Sequence, residues 1–158
     1  MPGQVRFPRL DARDLTGEQR WLPDAFTGEH NLVFVAFRRQ QQALIDSWGP
    51  WVGSQAAAAG ICAYEVPVLA RLWAPFRPMI DGGMAGAIQD LDTRRSTLTV
   101  YGDVRRVTVP LGITDQSTVS VFLVARGGNV VDRASGAFDE QEAARLLAAA
   151  AGPRPATG

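Results

Sequence analysis

Six consecutive apolar residues, Leu32-Val33-Phe34-Val35-Ala36-Phe37, constrain this chain more than any other feature. The run has strand length and no polar alternation. It therefore predicts a strand covered on both faces, which requires a sheet sandwiched between other layers.

The surrounding pattern supplies those layers. Residues 5–37 read as a strand-rich entry, with apolar Val5, Phe7 and Leu10 and a turn at Leu15-Thr16-Gly17-Glu18. Pro23-Asp24-Ala25-Phe26 has the makings of one helical turn. Residues 40–59 carry a helical stripe of Leu44, Ile45, Trp48, Trp51, Val52 and Ala56, with a break expected at Gly49-Pro50. Ile61 to Val66 reads as a second buried strand, and Pro67 suits the first turn of a following helix through Leu69, Leu72, Trp73 and Phe76. Leu98 to Tyr101 is a third strand. Residues 103–111 are ambiguous, because Val104, Val107 and Leu111 have helical spacing but the segment is rich in β-branched residues. Thr118 to Val124 and Val130 to Ala134 form a hairpin about Gly127-Gly128-Asn129. Asp139 with Glu142 opens a last helix carrying Leu146, Leu147 and Ala150.

Strands alternating with helices and closing on an antiparallel hairpin predict a mixed α/β sheet with helices on both faces. At 158 residues the chain suits one domain, expected over residues 1–152 with a flexible tail at 153–158.

The charges narrow the function. Sixteen cations balance sixteen anions, so no global charge draws the protein to nucleic acid. Every cation is arginine, which excludes lysine Schiff bases and P-loop chemistry. One cysteine, Cys62, and one histidine, His30, allow neither an internal disulfide nor a structural zinc site. No metal or cofactor is expected. The first ten residues lack the apolar segment of a signal peptide, and no apolar run is long enough to span a bilayer. A cytoplasmic protein is expected.

The entry Phe7-Pro8-Arg9-Leu10-Asp11, then Asp14-Leu15-Thr16-Gly17, Leu22-Pro23-Asp24-Ala25-Phe26-Thr27-Gly28 and the Leu32 to Phe37 run resemble the opening of the redoxin branch of the thioredoxin superfamily. Thr118 to Val124 with Gly127-Gly128 and Gly136 resembles its last hairpin. A narrower resemblance is to the mitochondrial ATP synthase assembly factors, which are thioredoxin-like chaperones. Ala36-Phe37-Arg38, Asp46-Ser47-Trp48, Tyr64-Glu65-Val66-Pro67 and Ile80-Asp81-Gly82-Gly83-Met84 carry it. The resemblance implies a thioredoxin-like fold.

Thiol redox enzymes of this kind place a thiolate after the first central strand, at a helix N-terminus that lowers its pKa. Arg38-Arg39-Gln40-Gln41-Gln42-Ala43 stands there instead, and Asp115-Gln116-Ser117-Thr118 replaces the proline expected before the last hairpin. A non-enzymatic module with no catalytic residues is therefore expected, binding a protein or peptide as an assembly factor or chaperone. Its candidate binding residues are Arg38, Asp46, Asp81, Gly82, Gly83 and Met84. One alternative is a small anion or metabolite held by Arg38 at the carboxyl end of the strand. A weaker one is thiol redox or peroxidase-like chemistry through Cys62, which otherwise reads as a small core hydrophobe. Trp48, Trp51 and Trp73 read as core, and His30 as a surface residue.

Overall fold

The computed structural model of the protein describes residues 5–70, 96–102 and 104–151. Its centre is the predicted apolar strand. β4 (His30–Ala36) pairs in parallel with β5 (Ile61–Ala70) on one side and antiparallel with β7 (Ser120–Ala125) on the other. Alternation then splits its side chains between two cores. Val33 and Val35 face one core, with Val66, Val68, Phe122 and Val124. Leu32, Phe34 and Ala36 face the other, with Val121, Leu123, Trp48 and Leu146. This double burial is why the run contains no polar residue.

Among the described residues, eight strands make one mixed sheet in the order β1-β8-β7-β4-β5-β6-β2-β3. The entry segment supplies β1 (Val5–Arg6), β2 (Leu10–Asp14) and β3 (Gln19–Leu22), and β2 and β3 form a hairpin. Asp14 anchors that hairpin. Its carboxylate is fully buried and accepts from the Thr16 and Glu18 N–H groups and from Arg20. β6 (Leu98–Gly102) lies between β5 and β2, and β8 (Asn129–Ser135) returns beside β7.

Helices cover both faces. On one side lie α1 (Gln42–Ser47), α2 (Gly49–Trp51), which continues as a π-helical turn over Val52–Ala56, and α4 (Glu140–Ala151). The predicted break falls at Trp48, just before Gly49-Pro50. Trp48 is fully buried, meets Phe34, Trp51 and Phe138 edge-on at 5.3 to 5.9 Å, and donates its indole N–H to the Gly136 carbonyl. α4 starts at the predicted cap, where the Asp139 carboxylate accepts from the Gln141 and Glu142 N–H groups.

One expectation needs correction. Pro67 does not open a helix. β5 runs through it to Ala70, and Pro67 sits opposite Ala36 on the last rung of the β4–β5 ladder. There the ladder ends, so the missing N–H is tolerated. Leu69 is thus a strand residue, whereas Leu72, Trp73 and Phe76 lie outside the described residues. The ambiguous segment is helix α3 (Arg105–Leu111). Its β-branched residues are overruled by tertiary packing. Val107 and Leu111 are fully buried on the Val33 face, Gly112 closes the helix at φ +65°, and Arg133 donates to the Leu111 carbonyl at 2.7 Å.

Candidate functional site

The carboxyl ends of β4 and β5 form one pole of the sheet, where ligands bind in open α/β folds. Two polar groupings stand there. Gln41, ahead of α1, is buried; its Oε1 accepts from the Phe37 and Arg38 N–H groups at 2.8 and 3.2 Å. Its Nε2 donates to the Gln116 carbonyl at 2.8 Å, tying the β4–α1 loop to the loop before β7. Beside it, Gln42 donates from Nε2 to Asp46 at 3.0 Å and to Glu65 at 3.2 Å. Burial pushes the Glu65 carboxyl above the usual range; the Gln42 contact opposes that shift and the Asp46 charge adds to it.

Arg38 is exposed, and its charge is felt by Asp115. The Asp115 carboxyl is held below its ordinary value by the Ser117 hydroxyl and N–H, with Arg38 contributing. Of the candidate binding residues, Arg38 lies within electrostatic reach of Asp115, while Asp46 accepts from Gln42 and its charge reaches Glu65. Asp81, Gly82, Gly83 and Met84 lie outside the described residues. Gln41 and Glu65 were not singled out from sequence. Their partners are remote in the chain, and a glutamine or glutamate alone carries no signal.

Cys62 lies at the opposite pole, near the start of β5 beside Asn31 of β4. It is partly exposed. The Thr27-Gly28-Glu29 loop passes over it so closely that a Cβ on Gly28 would lie 2.9 Å from the sulfur. That loop is fixed on three sides. Asn31 exchanges hydrogen bonds with Gly28 N–H and C=O, the Tyr64 hydroxyl accepts from the Thr27 N–H, and Arg126 donates to the Thr27 carbonyl. His30 precedes Asn31 on β4 and so points to the opposite face of the sheet from Asn31 and Cys62.

A separate apolar cleft of about 440 Å³ lies between α2 and α4, lined by Trp51, Phe138, Ala143 and Leu147. It presents no thiol and no cation.

The sequence matches no protein-family profile and no curated protein. Solved structures do match. Yeast Sco1 with copper bound shares 15% identity over 97% of each chain, with a TM-score of 0.62. A putative thiol:disulfide interchange protein DsbE from Chlorobium tepidum shares 16% over 94% of this chain and 97% of its own, at 0.57. Peroxidoxin BcpB from Mycobacterium tuberculosis shares 12% over 96% and 99%, at 0.60. The fold is thioredoxin-like.

These matches bear out the expected thioredoxin-like fold, a mixed sheet with helices on both faces. They do not show the narrower resemblance to ATP synthase assembly factors. They also correct the expectation of a redox-inactive binding module or chaperone, since the fold is shared end to end with a thiol:disulfide interchange protein and a peroxidoxin. The physical reason lies at Cys62. Arg38 to Ala43 leave one thiol position of the fold empty, while Cys62 is partly exposed at the other pole. Among the described residues, no helix is long and apolar enough to cross a membrane.

Proposed function

We propose that this protein carries out single-thiol redox chemistry at Cys62, of a peroxidase-like kind completed by an external thiol. The observation that carries the reading is a partly exposed cysteine under a fixed loop, in a fold shared with a peroxidoxin and a thiol:disulfide interchange protein. With one cysteine in the chain, internal disulfide exchange is closed, so the cycle must use a second molecule.

The steps balance without a further cofactor. The Cys62 thiolate attacks a peroxide oxygen; the S–O bond forms, the O–O bond breaks, and the leaving oxygen takes a proton as water or alcohol. The sulfenic acid condenses with an external thiol, giving a mixed disulfide and water. A second external thiol then displaces Cys62 and leaves as the small-molecule disulfide. Tyr64, Asn31 and Arg126 act in this scheme by holding the Thr27–Glu29 loop over the sulfur. Among the described residues, His30 and Cys62 point to opposite faces of adjacent strands and do not form a shared pair of metal donors.

Turnover decides the reading. Purified protein is expected to consume peroxide when glutathione is supplied, and Cys62→Ser is expected to abolish it, while Arg38→Ala is expected to leave it unchanged. Peroxide consumption that persists in Cys62→Ser, or none in the wild type with any external thiol, overturns the proposal.

A further inference from the structure

The Gln41 side chain is placed unlike a helix cap. Its carboxamide turns back against the chain direction, accepting from N–H groups three and four residues earlier, and reaches across to a carbonyl on another loop. It is 2% exposed and engages two N–H donors and one C=O acceptor. That arrangement is the complement of a primary carboxamide: its oxygen takes both donors and its nitrogen supplies the acceptor. It also stands at the sheet pole where open α/β folds receive ligands.

We infer that Gln41 is an internal ligand that fills a carboxamide-shaped site between the β4–α1 loop and the loop before β7. Among the described residues, its occupation by Gln41 is what ties the two loops together by side-chain hydrogen bonds. Emptied of its glutamine, the site takes a small primary amide in preference to a carboxylate. An ionised carboxylate would set a negative oxygen against the Gln116 carbonyl, whereas an amide sets an N–H there. The inference is independent of the thiol reading, since Cys62 lies at the other pole.

The test is chemical rescue. Gln41→Gly is expected to lower the melting temperature by about 3–8 °C, from the loss of three buried hydrogen bonds. Propionamide is then expected to raise it again saturably, propionate is not, and neither is expected to raise that of the wild type. Equal effects of propionamide and propionate, or no effect of either, would overturn the inference. Should Gln41→Gly not fold, wild-type amide exchange answers the same question. The Phe37 and Arg38 N–H groups are expected to be protected at least tenfold over an open loop, and exchange at unprotected rates would count against it.

Discussion

Glu65 shows how a single polar side chain reports on its surroundings. It sits on a buried strand with Gln42 as donor and Asp46 as a nearby like charge, and burial raises its pKa. A carboxyl whose folded pKa lies above its unfolded value is penalised when ionised. The penalty is therefore full above the folded pKa and fades as pH falls through it toward the ordinary carboxylate value. Glu65→Gln keeps an oxygen for Gln42 and removes the charge. Its melting temperature is expected to exceed that of the wild type at neutral pH, with the difference closing in acid. A difference that is constant with pH would show that the charge of Glu65 is not what burial penalises. Asp14 is the opposite case. It too is desolvated, but hydrogen bonds from Thr16, Glu18 and Arg20 outweigh burial and lower its pKa.

At the scale of elements, Trp48 joins β4, α2 and the segment before α4. Its ring meets Phe34 of β4, Trp51 of α2 and Phe138 before α4, and its N–H caps the Gly136 carbonyl. Trp48→Ala is expected to cost about 3–5 kcal/mol in urea unfolding, near the cost of emptying a large core site. A loss below about 1 kcal/mol would mean that the helices do not depend on this junction. Trp48 was legible in the sequence because a helical stripe is local. So were the Leu32 to Phe37 strand, the closing hairpin and the Asp139 cap, each signalled within a few residues. The extension of β5 through Pro67 was not, because it depends on where the neighbouring strand ends. The short helix α3 was legible from the spacing of Val104, Val107 and Leu111, against its β-branched content, and a core built from other strands settles it. At the polar pole the sequence placed Arg38 just beyond the carboxyl end of β4. Gln41 was missed because its defining partner, Gln116, lies 75 residues on.

The whole molecule presents two poles of one sheet with different fates. At the carboxyl ends of β4 and β5, polar side chains bond to one another and to the backbone, and Gln41 seals the gap between two loops. At the other pole a partly exposed thiol lies beneath a loop held by Asn31, Tyr64 and Arg126. The proposed thiol chemistry lies at this second pole, opposite the position after β4 where Arg38 to Ala43 stand. The most direct measurement is mass spectrometry after brief treatment of the native protein with equimolar peroxide and a cyclic 1,3-diketone that traps sulfenic acid. The account predicts the diketone adduct on Cys62 in the folded protein and its loss when an external thiol is added first. A Cys62 that is recovered unmodified from the native chain, and becomes trapped only after unfolding, would contradict it.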